Sequence, residues 1–301
     1  MPVAFSTCWN SDRHIRGDEM LNEIFALGFD RVELGHGIRQ SLWEGIESFL
    51  ADHPMRVTSL HNFCPLPIEI QSSAPDCYQC TSSRAAEREL ARRYTLQTID
   101  YAHRVGAKRV VMHLGSVPLR DYTEELIRSI FAGRYLDRRY VRIKLIAIQK
   151  REAVGVYDQI VEWLQPALSH AKAAGIVLGV ENRIGFETFP SEREFRRLFS
   201  EIKDDVIGYW HDFGHAQIRH NLTLIDHAEW LAEMVPRQVG CHIHDVQFPA
   251  RDHRVPFSGM IDFASLIPSL PVEQPMVWEL SPSASKDDII AALAHWKLRF
   301  P

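Results

Sequence analysis

Val177-Leu178-Gly179-Val180-Glu181-Asn182-Arg183 is a short apolar run, rich in β-branched residues, that ends abruptly in a carboxylate and then in polar side chains. The run is too short for a helix and reads as a strand buried on both faces. Packing gives no reason to end such a strand on a carboxylate, because burying an unpaired charge costs several kcal/mol. Something cationic should therefore meet Glu181.

Outward from this strand, the same grammar repeats. Val3 to Cys8 is a short apolar segment ending in Trp9-Asn10. Gly17 to Phe29 has Met20, Leu21, Ile24, Phe25 and Leu27 in helical spacing, with Gly28 as a stop. Arg31-Val32-Glu33-Leu34 is the second strand and Leu42 to Leu50 the second helix. The third strand, Arg56 to Leu60, ends at His61 and opens into a long loop of Pro65, Pro67, Pro75 and a Ser/Thr/Cys cluster. A helix from about Ala85 to Val105 precedes the fourth strand, Arg109-Val110-Val111-Met112, which ends at His113. Residues 121 to 174 are expected to be largely helical, with the clearest amphipathic spacing from Tyr157 to Ala173. After Val177–Arg183, Ser191-x-x-Glu194 has capping-box spacing and opens a helix. The sixth strand is Ile207-Gly208-Tyr209-Trp210, the seventh Val239 to Ile243, and the eighth Met276-Val277-Trp278. Helical runs fall near 224 to 235, 262 to 268 and 286 to 297.

Strand and helix thus alternate eight times. Parallel strands need crossover connections, and eight such units over this length close into a (β/α)8 barrel rather than an open doubly wound sheet. No Pro-, Gly- or Ser-rich linker divides the chain, so residues 1–301 form one α/β domain.

Bulk properties fit an ordinary globular protein: 301 residues, 46% hydrophobic and 24% charged. The balance of 34 basic and 39 acidic residues gives a net charge of −5, which argues against a nucleic-acid partner while leaving room for a local basic cleft. No apolar run approaches the roughly 20 residues that span a bilayer, and no signal-peptide pattern opens the chain. Five thinly spread cysteines suit a reducing, cytoplasmic setting, and Cys77-x-x-Cys80 lacks the second pair that a metal ribbon needs. The helical insertion around 121 to 156 is large enough to cover a neighbouring subunit in a homo-oligomer.

Chemistry in such barrels sits where strands end. The strand ends here are His61, His113, Glu181, Asp212, His242 or His244, and Glu279, followed closely by His215 and His253. Singly, each has an ordinary explanation: a lone strand-end histidine is usually a hydrogen-bonded rim residue, Asp212 could cap a turn, and Glu279 could pair with Arg183. Together they are hard to obtain from packing, because carboxylates and imidazoles converging on one mouth need a cation. Nitrogen and oxygen donors without cysteine suit Mn²⁺ first, then Zn²⁺, Co²⁺, Fe²⁺ or Mg²⁺, and suit Ca²⁺ poorly. Strand alternation points His211 away from this set and leaves His242 and His244 on one face, so spacing does not choose between them.

These residues resemble the xylose-isomerase-like TIM-barrel superfamily, which includes sugar isomerases, ketose 3-epimerases and the apurinic endonucleases of the endonuclease IV type. The resemblance spans nearly the whole chain. It is carried by Ser59-Leu60-His61, Val110-Val111-Met112-His113-Leu114-Gly115, Val180-Glu181-Asn182, Asp212-x-x-His215, His242-x-x-Asp245 and Trp278-Glu279. It implies one divalent ion held by Glu181, Asp212, His242 and Glu279, and the His-x-x-Asp match selects His242. It also implies an acid/base pair of Glu181 and Glu279 and a substrate contact at His215. His61, His113, Arg183 and His253 are candidate substrate contacts beside it, and Glu33 and Trp9 are further candidates.

The expected function is a metal-dependent isomerase or epimerase of a small sugar, keto-sugar or polyol, working through an enediolate. The alternative is a phosphodiesterase cutting abasic DNA with a three-zinc cluster, to which His61, His113, His215 and His253 would add ligands. Against it, Arg251 stands where that branch has an aspartate, and Asp252 adjoins His253. A third alternative is a barrel that binds a sugar without turning it over.

Overall fold

The computed structural model describes residues 1–271 and 273–301. Its strands are β1 (Ala4–Ser6), β2 (Arg31–Leu34), β3 (Arg56–His61), β4 (Arg109–Met112), β5 (Val177–Glu181), β6 (Ile207–Asp212), β7 (Gln238–Ile243), β8 (Asp245–Gln247), β9 (Arg251–Arg254) and β10 (Met276–Trp278). Eight of them are parallel and close in the order β1-β10-β7-β6-β5-β4-β3-β2, with helices between them: a single-domain (β/α)8 barrel. β8 and β9 form a separate antiparallel pair. No helix among the described residues is long and apolar enough to cross a membrane.

Alternation along each strand sorts the side chains into two compartments. Phe5, Val32, Leu60, Val110, Leu178, Val180, Tyr209, Cys241 and Trp278 face outward into one large core shared with the helices. The barrel interior has its own small cluster of Ala4, Val111, Trp210 and Val277, with Val239 against it. Trp210 fills that interior only because Gly240 faces it: a Cβ on Gly240 would lie 2.1 Å from the indole. One layer above this apolar plug, the inward positions turn polar, and Glu33, His61, Glu181, Asp212 and His242 are all buried there. Register aligns them, since Asp212 on β6 pairs with His242 on β7.

The insertion after β4 resolves into three helices, Tyr122–Phe131, Arg138–Glu152 and Tyr157–Ala174. Two features depart from the sequence expectation. The helix Phe213–Asn221 starts directly after β6 and is buried at every residue but one, its polar side chains included, so it has no solvent-exposed face to generate a helical period. The run expected at 224 to 235 accordingly contracts to His227–Met234. The β8–β9 hairpin was equally silent, since Arg251-Asp252-His253-Arg254 has no apolar alternation. Its loop is organised by Asp245, whose carboxylate accepts from the backbone N–H groups of Val246 (2.8 Å), Gly259 (2.8 Å) and Ile261 (3.0 Å).

Barrel closure is reinforced around Glu23. Its carboxylate meets Asn10 (3.0 Å), Arg13 (2.9 Å), His14 (2.8 Å) and Lys286 (2.9 Å), tying the first helix to the turns after β1 and to the last helix. Burial raises the Glu23 pKa, but hydrogen bonds from Lys286, Asn10 and His14 and the nearby Arg13 outweigh it and bring it down to about 2. A depressed carboxylate stabilises the fold above its unfolded-state pKa, and that contribution fades as pH falls towards the folded value. Wild type is therefore expected to be more stable than Glu23→Gln by about 1 kcal/mol above pH ~4.5, after allowing for solvent screening. The difference should vanish as pH falls towards 2, in paired urea titrations across that range. A pH-independent difference would show that Glu23 acts through packing alone.

Candidate functional site

Three carboxylates converge on one imidazole nitrogen at the barrel mouth. His242 Nδ1 lies 3.1 Å from Glu279 Oε2, 3.6 Å from Glu181 Oε2 and 3.7 Å from Asp212 Oδ2. It is buried and has no hydrogen-bond partner. The four residues thus meet at one point, drawn from β5, β6, β7 and the end of β10. Among the described residues no lysine or arginine forms an ion pair with any of the three carboxylates; their partners are imidazoles.

A second set of imidazoles surrounds Glu181. His61 Nε2 and His113 Nε2 approach the same Glu181 oxygen at 3.3 and 3.2 Å, and His215 Nδ1 lies 3.0 Å from the other. The outer nitrogens of the first two are occupied: His61 Nδ1 by the Asn62 carbonyl at 3.0 Å, and His113 Nδ1 by Asp76 at 3.1 Å. Both rings therefore turn their Nε2 atoms inward. Arg183 does not pair with Glu279; it lies 3.3 Å from Asp76, beside His113.

Asp212 also starts a helix. Its Oδ1 accepts from the backbone N–H of His215 at 2.6 Å, capping Phe213–Asn221. Its Oδ2 lies 3.1 Å from His244 Nε2. His244 Nδ1 accepts from the backbone N–H of His253 at 2.9 Å, so Nε2 carries the ring proton and donates to Asp212. Gly214 makes room for that ring, since a Cβ there would stand 1.9 Å from it. Asn182 fixes the Asp212 backbone from both sides, accepting from its N–H (2.7 Å) and donating to its carbonyl (3.1 Å). His253, a third exposed, sits on β9 at the rim, 3.7 Å from Glu279 and 3.2 Å from Asp252.

Burial and neighbours compete over every charge in this mouth. Burial raises the Glu181 pKa, yet His113, with hydrogen bonds from His113, His215 and His61, holds it well below the usual carboxylate range. Burial is likewise outweighed at Glu279 by His242 and His253, and at Asp212 by His215 and His244. The reciprocal effect lifts His61, His215 and His242 against their own burial. His36 goes the other way: burial and the neighbouring His61 push it down to about 3.

Several participants escaped the sequence reading. His36, in the turn after β2, lies 3.9 Å from Glu279, and its position just past a strand end is the signal that would have found it. Asp76 lies in the long loop after β3, where no spacing rule applies. Glu33, a candidate substrate contact from sequence, lies fully buried behind His242. Trp9 is packed rather than displayed, with its Nε1 donating to the Ala284 carbonyl at 3.0 Å and Arg13 stacked 4.0 Å from its ring. His211 points away from the mouth, as alternation requires, towards Tyr209 and His227. Cys77 and Cys80 are free thiols.

Parallel barrel, interior Trp plug and a carboxylate–imidazole mouth together define a class of protein: the chain belongs to the xylose isomerase-like TIM barrel family, whose model matches residues 21–297. No curated protein matches it. Among solved structures it is similar to a D-tagatose 3-epimerase-like protein (16% identity, 99% of this chain and 97% of that one, TM-score 0.71). It is also similar to a 3-keto-D-glucoside 4-epimerase from E. coli (15% identity, 99% of both chains, TM-score 0.69). A third likeness is to a xylose isomerase-like TIM barrel protein from Mycobacterium smegmatis in complex with magnesium (16% identity, 99% and 96%, TM-score 0.64). At these identities the likeness speaks for the fold.

Proposed function

We propose that the protein is a divalent-metal-dependent isomerase or epimerase of a small sugar, keto-sugar or polyol. The observation that carries this reading is the buried, unpartnered His242 Nδ1 facing Glu181, Asp212 and Glu279. One imidazole nitrogen and three carboxylates are a donor set for Mn²⁺, Zn²⁺, Co²⁺, Fe²⁺ or Mg²⁺, and Mn²⁺ suits their oxygen-rich balance. A cation there would supply Lewis acidity towards a carbonyl and its neighbouring hydroxyl.

The chain's own residues would do the proton work. Glu181 and Glu279 approach the same point from β5 and β10, so a substrate lying over it has a carboxylate on either side. One removes the proton next to the carbonyl and the other returns it. His61, His113 and His215 hold Glu181 in place and would meet the substrate beside it. Arg183, beside Asp76, and His253, at the rim, would meet substrate oxygens. The epimerases of similar fold support a sugar as substrate.

The test is to load the purified protein with Mn²⁺ or Co²⁺ and incubate it with a panel of ketoses in deuterated water. Interconversion with deuterium incorporated at the inverted carbon is expected. Absence of exchange with every metal and sugar would overturn the reading.

A second reading, phosphodiester hydrolysis of abasic DNA, is favoured by one observation. His61 and His113 aim two Nε2 atoms at one carboxylate oxygen while their outer nitrogens are tied to acceptors, the arrangement that metal-binding imidazoles adopt. Two or three bound ions per chain, with incision of an abasic oligonucleotide, would establish it. One ion and no incision is expected.

A further inference from the structure

We propose that Glu33 is a positioning residue, which fixes the proton of His242 on Nε2 and so leaves Nδ1 as the nitrogen that faces the cation. The inference rests on reading Glu181, Asp212, His242 and Glu279 as a divalent-cation site. Glu33 lies one residue before the end of β2 and reaches across the barrel to β7. Both its oxygens face His242 Nε2, at 3.1 and 3.2 Å, and Oε2 also accepts from Ser59 Oγ at 2.7 Å. A carboxylate only accepts, so Nε2 must donate, and a neutral ring then carries its lone pair on Nδ1. That is the atom with no partner, turned towards Glu279, Glu181 and Asp212.

Two other roles for Glu33 fit less well. Substrate contact is blocked, because the side chain is 0% exposed and lies behind the ring. Direct ligation is also disfavoured: both oxygens lie on the Nε2 side of the imidazole, and one is already held by Ser59. What remains unexplained by packing is a buried carboxylate with no lysine or arginine partner among the described residues. Such a charge is costly in isolation. An imidazole polarised by a cation on its far nitrogen offers Glu33 an acidic N–H, and Glu33 in turn makes Nδ1 a better donor.

The experiment measures metal binding directly, with Mn²⁺ and Co²⁺ as probes, in wild type, Glu33→Gln, Glu33→Asp and Ser59→Ala. Glu33→Gln removes the charge and is expected to weaken both ions by about 10–100-fold. The d–d spectrum of its Co²⁺ form should change. Glu33→Asp, if it still reaches Nε2, should recover part of the loss, and Ser59→Ala should weaken binding less but in the same direction. In the Zn²⁺-loaded wild type, histidine ¹⁵N NMR should place the His242 proton on Nε2. Unchanged affinity in a folded Glu33→Gln, or a His242 proton on Nδ1, would overturn the assignment. Should Glu33→Gln fail to fold, Ser59→Ala and the NMR signature still decide. Failure of wild type itself to bind any of the three ions would instead sink the cation site on which the proposal stands.

Discussion

Glu181→Gln is expected to lower turnover by about 10³-fold or more while the barrel still unfolds cooperatively. Four imidazoles surround its carboxylate: one oxygen faces His61 and His113, the other faces His215, and the group also turns towards His242 Nδ1. Glutamine offers one acceptor and one donor in place of two acceptors. If its oxygen stays with His215, its NH2 group faces the Nε2 atoms of His61 and His113; if it flips, it confronts the Nδ1–H of His215. Either way the negative charge is gone, and with it the proposed ligand and proton acceptor. The apolar core lies outside the strands and is untouched, which is why the fold should persist. Circular dichroism and urea melts on the same preparations check that part, and turnover on the sugar identified in the deuterium experiment checks the other. Activity within tenfold of wild type would remove Glu181 from the acid/base pair.

The sequence made the barrel legible because its strands are short, β-branched and regularly alternate with helices, and it made the site legible because six consecutive strands end at or just before a ligand-type side chain. Glu181 stood out through an elementary conflict: a charge at the end of an apolar run. The same conflict picked out Asp212 and Glu279. What stayed hidden had no local pattern. The helix Phe213–Asn221 is buried almost all round, so hydrophobic periodicity had nothing to report. The hairpin of β8 and β9 depends on Asp245 gathering three backbone N–H groups from residues up to sixteen positions away. Asp76 reaches His113 from a long loop with no repeating pattern, 37 residues away along the chain. Glu33 was visible as a strand residue, but its role depends on the opposite side of the barrel, 209 residues along the chain.

Asp212→Asn should be the second most damaging change, and for a reason that ordinary isosterism would miss. Asparagine is as good a helix N-cap as aspartate, so a purely structural role for Asp212 predicts little harm. The cap, however, uses only Oδ1, which accepts from the His215 N–H. Oδ2 accepts from His244 Nε2, and His244 cannot change tautomer freely because its Nδ1 already accepts from the His253 backbone. An asparagine that keeps the cap therefore points its NH2 group at a second donor. One that satisfies His244 points it at the His215 N–H instead. One buried donor is left unsatisfied in each case, a cost of about 1–3 kcal/mol. The proposed cation site also loses one of its three anionic members, so Mn²⁺ affinity should fall by about 100-fold or more, given one unit of charge lost in a buried setting. The expected signature is therefore double: lower stability in metal-free urea melts, and weaker Mn²⁺ binding by calorimetry. His244→Gln, which leaves Asp212 charged, should reproduce most of the stability loss while retaining measurable Mn²⁺ binding. Equal Mn²⁺ affinity in wild type and Asp212→Asn would show that Asp212 serves the helix and not the ion.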